Sequence, residues 1–299
     1  AAALELLHRI AAGKPGLPKA AGFGVRFMKE WIADRATARL KRSRESILAE
    51  LSLFAMETKG LEFSMYITKE SLAQQGGYGF ALKGPQHDES WLIAIDQLRK
   101  ELPTFEHKAE ALLWFPLFRT WFNIAGLCKL PWIDVRNPKA KDTPAPSKNL
   151  PTVDYYIELV NGTFGTSNTL DDLLLQSERC YLLQKLINLR QGFGTRQYDA
   201  IPLRAMAPVF MNEYLSRKDY YESYLRDMAK INPDGRSDEE KMALLQDFRR
   251  KQYETLTDVV YKEKGYDRNG IPTDETMKRL GFDQPEFMSI VQHARKRVG

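Results

Sequence analysis

One histidine and one cysteine carry most of the chemistry open to this sequence. The stretch GGYGFALKGPQHDESW, residues 76–91, places His87 beside Asp88 and Glu89. A histidine titrates near neutral pH, so it can act there as a general acid or base, or ligate a metal. A structural or surface histidine fits the same residues. The glycines before it, Gly76, Gly77, Gly79 and Gly84, permit close backbone approach or positive φ, as a phosphate or pterin ligand would require. Their spacing is neither a Walker A loop nor a dinucleotide fingerprint. The second stretch, NIAGLC at 123–128, carries Cys128, and the other cysteine, Cys180, lies 52 residues away inside SERCYLLQKL. Two cysteines cannot hold a four-cysteine iron–sulfur cluster. Cys128 is therefore a small buried side chain or one ligand whose companions precede residue 1.

Three further stretches offer weaker chemistry. In GYDRNGIPTDETMKRLGF, Asp267, Asn269 and Gly270 resemble part of a calcium loop. The bidentate glutamate of such a loop is replaced by Lys278, and a helix-stopping turn followed by a Thr273-capped helix explains the residues better. Arg190, Arg196 and Arg204 in NLRQGFGTRQYDAIPLR could contact an anion; the alternative is a glycine-terminated helix with solvated arginines. LKRSRES, 40–46, is a basic helix face, either solvated or a docking surface for an acidic partner.

The elements that must position these residues are helical. Residues 24–56 repeat apolar positions at three- and four-residue spacing, room for two helices. Residues 105–122 predict an aromatic-rich buried helix that Pro116 should kink or restart. Its LLWFPLFRTWF segment packs core or walls an apolar pocket. A helix from Thr169 has Thr169 as N-cap, Asp171 and Asp172 in its first turn, and Gly192 and Gly194 at its end. Another runs from a Ser237 cap to Gly265, and short helices follow at 273–280 and 285–297. LEFSMYIT is the best strand candidate. Residues 135–152, with four prolines, read as an exposed loop. The fold class is mainly α.

Composition excludes several function classes. The chain has 299 residues, 43% apolar and 28% charged, with a net charge of +5 from 44 basic and 39 acidic side chains. So small an excess, with no accompanying fold motif, argues against nucleic-acid binding. No run of about 18 apolar residues offers a membrane span. Two cysteines exclude a disulfide scaffold and point to a reduced, cytoplasmic setting. The opening AAALELLHRIAAGKPG has neither a starting methionine nor a signal peptide and reads as the interior of a longer chain.

The order of the motifs says more than any one of them. METKGLEFSMY (56–66), GYGFALKGPQH (77–87), GLCKLPW (126–132), ERCYLLQKLINLRQGFGTRQYDAIPLR (178–204) and VVYKEKGYDRNGIPTDETMKRLGF (259–282) follow one another. Together, over roughly residues 50–282, they resemble the C-terminal part of the tungsten-containing aldehyde ferredoxin oxidoreductase superfamily. The resemblance implies helical domains of that type, with residues 1–58 as the tail of the middle domain and 59–299 as the C-terminal domain. The family's N-terminal β domain has no counterpart here.

What the resemblance implies about the site follows motif by motif. His87 would stand beside the metal as proton donor or hydrogen-bond partner. NIAGLC matches the family's DxxGLC, whose cysteine completes a [4Fe-4S] cluster, which gives Cys128 a ligand role. The aspartate of that motif binds the pterin, but Asn123 replaces it here and keeps hydrogen bonding without the charge. Gly126 would belong to the same cofactor-binding motif, and Leu127 would add a backbone contact. The implied cofactors are a tungsten (or molybdenum) bis-pterin and the [4Fe-4S] cluster. Where aldehyde oxidoreductases carry ATSxRGxxH, this chain has ALKGPQHDES, more similar to the catalytic subunit of class II benzoyl-CoA reductases. The expected substrate is an aromatic acyl-CoA, with an aldehyde as the alternative. The expected partner is an iron–sulfur electron-transfer subunit or ferredoxin, in an oligomer. A non-catalytic helical binding module is the rival reading.

Overall fold

Helix caps and glycine stops divide the chain much as its residue types suggest. The computed structural model describes residues 25–63, 69–85, 92–127, 145, 147–148 and 151–299. His87, Cys128 and nearly all of the proline-rich stretch lie outside them. The longer helices are α1 (Val25–Leu40), α2 (Arg44–Phe54), α3 (Leu72–Phe80), α4 (Phe105–Ile124), α5 (Pro151–Phe164), α6 (Leu170–Arg190), α7 (Lys218–Asp227), α8 (Asp238–Glu263), α9 (Asp274–Arg279) and α10 (Pro285–Val298). A π-helical turn spans Ala94–Leu98, and short helical turns span Arg196–Asp199, Leu203–Met206 and Met211–Leu215. The described strands are β1 (Glu57–Thr58) and β2 (Leu61–Glu62), an antiparallel pair. Lys59 and Gly60 between them both take positive φ, as a tight type I′ hairpin demands. Within the strand candidate LEFSMYIT, Leu61 and Glu62 form β2, and residues 64–68 lie outside the described residues. The chain is mainly helical.

Packing separates two units, residues up to Phe63 with Ile201–Arg249, and Ser64–Ala200 with Arg250–Gly299. The sequence reading grouped everything after residue 58 in one domain, whereas the packing places 201–249 with the first segment. α8 contributes 238–249 to the first unit and 250–263 to the second.

In the first unit, Ile32, Ala33 and Ala36 of α1 meet Ile47 and Leu51 of α2. Ser43 caps α2 by accepting from the Ser46 N–H at 3.2 Å. Arg42 and Arg44 of the basic stretch pair with Glu50 and Asp34 on these same two helices. A second cluster joins Tyr214, Tyr221, Leu225 and Leu245. The buried Arg249 guanidinium donates to the Met206 carbonyl at 2.9 Å and lies over the Tyr224 ring. The Tyr214 phenol is pushed up to about 12 by burial and then by the nearby Glu222 and Asp238 carboxylates.

The second unit is built on α4 and α6, with α3, α5 and the end of α8 closing one core. Thr104 starts α4 by accepting from His107 N–H. Helix α4 continues through Pro116, which is buried and leaves the Leu112 carbonyl without its helical N–H partner. The helix does not restart there but runs on to Ile124, and Phe115, Phe118, Trp121 and Phe122 around Pro116 are all buried. Each such side chain contributes roughly 1.5–3 kcal/mol, comparable to the ~3 kcal/mol cost of the proline. At α6, Thr169 and Asp172 form a reciprocal capping box. The Thr169 hydroxyl and N–H hold the Asp172 carboxyl below its usual range. Ser237 and Glu240 make the matching reciprocal pair of hydrogen bonds at the start of α8, at 3.2 and 2.8 Å. Gly265 then ends the helix at a φ of 68°. The last helices close a separate cluster, in which Leu182, Leu186 and Leu189 of α6 pack on Met277, Leu280 and Val291.

Candidate functional site

The three described residues expected to touch a cofactor form one turn. At the end of α4, Ala125 N–H donates to Trp121 O at 2.9 Å, Gly126 N–H to Asn123 O at 3.3 Å, and Leu127 N–H to Phe122 O at 2.9 Å. That pattern is a Schellman motif, and it needs a left-handed residue at Gly126, whose φ is 67°. Among the described residues, a side chain at Gly126 would meet nothing within 4 Å, and Gly126 is exposed. Leu127 packs back on the α4–α6 core. Asn123 is exposed. The Leu127 N–H is spent on closing the turn, so a backbone contact from Leu127 to a ligand would have to come from its carbonyl. At a helix C-terminus the dipole disfavours a carboxylate, and Asn123 avoids that cost while keeping one donor group and one acceptor. An exposed amide beside an open glycine corner fits the hydrogen-bonding edge of a pterin. Cys128 follows immediately in sequence.

The glycines ahead of His87 serve packing. Residues 72–80, whose glycines offered a ligand close backbone approach, form helix α3, capped by Ser71, and every residue after Leu72 is buried. A Cβ on Gly76 would lie 2.5 Å from Leu112 Cδ1. On Gly79 it would lie 1.8 Å from the Tyr253 hydroxyl and 2.5 Å from the Asp199 carbonyl. Glycine costs roughly 1 kcal/mol per residue in a helix, and the close approach of α4 and α8 explains why it is used here.

Tyr253 leads to a buried polar cluster that sequence reasoning missed. Its hydroxyl donates to the Asp199 carbonyl. The Asp199 carboxylate accepts from Tyr261 Oη at 2.7 Å and Lys185 Nζ at 3.1 Å. Lys185 and Asp199 are 1% and 3% exposed, so this is a buried ion pair. Burial, and then the Asp199 charge, push the Tyr253 and Tyr261 phenols far up, so both remain donors. On the same face of α6 as Lys185, at spacings of four and three, stand Tyr181 and Asn188. Tyr181 Oη donates to Phe80 O at 2.7 Å, and Asn188 Nδ2 to Leu82 O at 2.8 Å. Polar residues recurring at helical spacing within a leucine-rich helix were the available signal.

A cavity of about 950 Å³ opens in the same unit, lined in part by Leu113, Trp114, Leu117, Tyr181, Tyr261 and Tyr266. The LLWFPLF segment thus does both things considered for it, since Leu113, Trp114 and Leu117 face the cavity and Phe115 and Phe118 fill the core. Lys264 Nζ lies 4.1 Å from the centre of the Tyr181 ring, and Arg279 pairs with Glu178 at the wall.

The remaining candidates resolve into structural roles. Asp267 Oδ1 accepts from Asn269 and Ile271 N–H at 2.9 Å each, and Thr273 caps α9. Arg196 pairs with Glu254 and Asp258, while Arg190 and Arg204 are exposed. Cys180 is a free, half-buried thiol on α6. Among the described residues no group of three or more histidine, cysteine or carboxylate side chains could hold a metal. No described helix is long and apolar enough to cross a membrane.

The described residues thus form a mainly helical scaffold around the α4–α6 core. The chain belongs to the aldehyde ferredoxin oxidoreductase family: the profile for aldehyde ferredoxin oxidoreductase, domains 2 & 3, matches residues 1–282. It is accordingly part of an oxidoreductase of that family. No curated protein matches it significantly.

Proposed function

We propose that this chain supplies the helical portion of a tungsten bis-pterin, iron–sulfur oxidoreductase that reduces the ring of an aromatic acyl-CoA such as benzoyl-CoA. The observation that carries the cofactor reading is the Schellman turn, with exposed Asn123 and open Gly126 immediately before Cys128. Asn123 Oδ1 and Nδ2 and the Leu127 carbonyl would hold the pterin edge, and the Cys128 thiolate would complete the [4Fe-4S] cluster. When bound, this pair of cofactors supplies low-potential electrons to the substrate. His87 would hold and deliver a proton there, since an imidazole exchanges protons near neutral pH.

Two features support a ring substrate. ALKGPQHDES replaces the arginine- and serine-containing segment of the aldehyde enzymes. The cavity has room for a planar group against its Trp114, Tyr181, Tyr261 and Tyr266 wall, while charged side chains such as Glu178, Asp258, Lys264 and Arg279 line the rest of it. An iron–sulfur subunit or ferredoxin would deliver the electrons.

A second reading, oxidation of aldehydes to carboxylic acids, is favoured by the description of the matching family. Anaerobic turnover by the native protein separates the two. Loss of the aromatic absorbance of benzoyl-CoA with a low-potential dye as donor, and no dye reduction by aldehydes, is the expected result. Dye reduction by aldehydes with benzoyl-CoA untouched would replace the first reading by the second.

A further inference from the structure

Three tyrosines line the cavity, and two of their hydroxyls are spent on the fold. Tyr181 Oη donates to Phe80 O and Tyr261 Oη to Asp199 Oδ2, each at 2.7 Å. The threonine hydroxyls of the lining are taken as well, Thr273 donating to Thr276 at 3.1 Å and Thr276 to Gly265 O at 2.8 Å. Tyr266 differs. It is half-buried, and its hydroxyl has no hydrogen-bond partner among the described residues. A tyrosine hydroxyl surrounded by protein ordinarily finds a partner, so one left over calls for an explanation.

Tyr266 is also held in place. Its N–H donates to Tyr261 O at 2.8 Å around the left-handed Gly265, and the next N–H, of Asp267, donates to Ile271 O at 2.8 Å. Lys185 Nζ lies 5.5 Å from the centre of its ring, and the Tyr261 ring is 6.2 Å away. A donor fixed by the fold needs little further ordering when a ligand accepts from it. Burial, and then the Glu178 and Asp199 carboxylates, raise the phenol above its usual range, so it keeps its proton. Charge does not choose the ligand, because the exposed Lys262 and Arg268 of the lining are matched by the exposed Glu263 and Glu275. What remains is flat aromatic surface beside an unspent hydroxyl, the complement of a ring that carries an acceptor oxygen.

We infer that this cavity takes the acyl end of the substrate, with the ring against Trp114, Tyr181 and Tyr261 and the carbonyl oxygen accepting from the Tyr266 hydroxyl. This rests on the reading of the substrate as an aromatic acyl thioester. Tyr266 then determines specificity. A ligand with the same ring and no carbonyl gains the aromatic contacts and leaves the hydroxyl unused. One neutral hydrogen bond of this kind corresponds to about three- to tenfold in affinity.

The test measures binding by calorimetry in the full native protein without an electron donor. The probes are benzoyl-CoA and S-benzyl-CoA, which differ only in the carbonyl oxygen. Tyr266→Phe is expected to weaken benzoyl-CoA about three- to tenfold and to leave S-benzyl-CoA unchanged. The urea midpoint should stay where it is, because the hydroxyl removed makes no hydrogen bond among the described residues. Tyr155→Phe, at an exposed position of α5, should alter neither affinity. Equal weakening of both probes, or of neither, would overturn the inference. Reduction of benzoyl-CoA by the native protein would still spare the reading of the substrate in that case. Selective weakening in a protein that never reduces benzoyl-CoA would support the carbonyl contact and strike only the reaction. Failure of the unaltered protein to bind benzoyl-CoA would overturn both. Should Tyr266→Phe fail to fold, the infrared band of carbonyl-labelled benzoyl-CoA on the unaltered protein decides. A band below its position in an apolar solvent is expected, and an unshifted band would overturn the inference.

Discussion

Replacing Lys185 with methionine is expected to destabilise the second unit by about 3–5 kcal/mol, the cost of stripping a buried carboxylate of its cation. The ammonium lies 3.1 Å from Asp199 Oδ2 and within 6 Å of the centres of the Tyr261 and Tyr266 rings, in a site almost closed to water. Methionine fills similar volume, so the loss is one of charge compensation more than of packing. Asp199→Leu should cost a comparable amount by leaving the lysine buried. The double variant should be less damaged than the sum of the two, because two buried charges are then desolvated no longer. The urea midpoint of the native protein, followed with exchange protection in α6 and the end of α8, reads the effect. An unshifted midpoint for Lys185→Met would show that the pair is not the anchor its burial implies.

Replacing His87 with alanine is expected to lower turnover by roughly 10²–10⁴, the range for one positioned acid or base, with tungsten and iron content unchanged. The separation matters. A histidine that merely supported the loop would lower activity through lost cofactor or lost stability, and so metal content and unfolding midpoint would fall with the rate. A proton-handling imidazole leaves both intact. Turnover across pH adds a second check, since the rate limb that reports the imidazole should vanish in the variant. Unchanged turnover would take His87 out of the chemistry.

The helix starts were legible because their chemistry is local. Thr169 with Asp172, Ser237 with Glu240, and Thr273 all satisfy orphan N–H groups within three residues of themselves. The stops at Gly192 and Gly265 were legible for the same reason, since each glycine takes a positive φ. Helix α3 was not. Three glycines in nine residues argue locally for a loop, and the reasons for helix are the distant Leu112 and Tyr253 that leave no room for a Cβ. The continuity of α4 through Pro116 was hidden likewise, because burial of four aromatic neighbours offsets what the proline costs.

The candidate site divides along the same line. Asn123, Gly126 and Leu127 stood out as a motif, but its open glycine and its closed leucine N–H are consequences of how α4 ends. The hydrogen bonds that tie α6 to the Phe80 and Leu82 carbonyls were invisible, since Tyr181 and Asn188 are about a hundred residues from the carbonyls they hold. The grouping of 201–249 with the first segment was equally hidden. It rests on contacts such as the stacked rings of Phe54 and Phe210, 5.1 Å between centroids, whose partners are far apart in the sequence.

The most direct measurement is elemental: tungsten, molybdenum and iron per chain in the native protein, purified without oxygen, beside the same protein carrying Cys128→Ser. The account predicts close to one tungsten and at least four irons for the unaltered protein, with iron and the broad visible absorbance of the cluster lost in the variant. A protein free of group-6 metal and iron would contradict it and leave a helical binding module. Iron retained in full by Cys128→Ser would contradict the cysteine's place at the cluster.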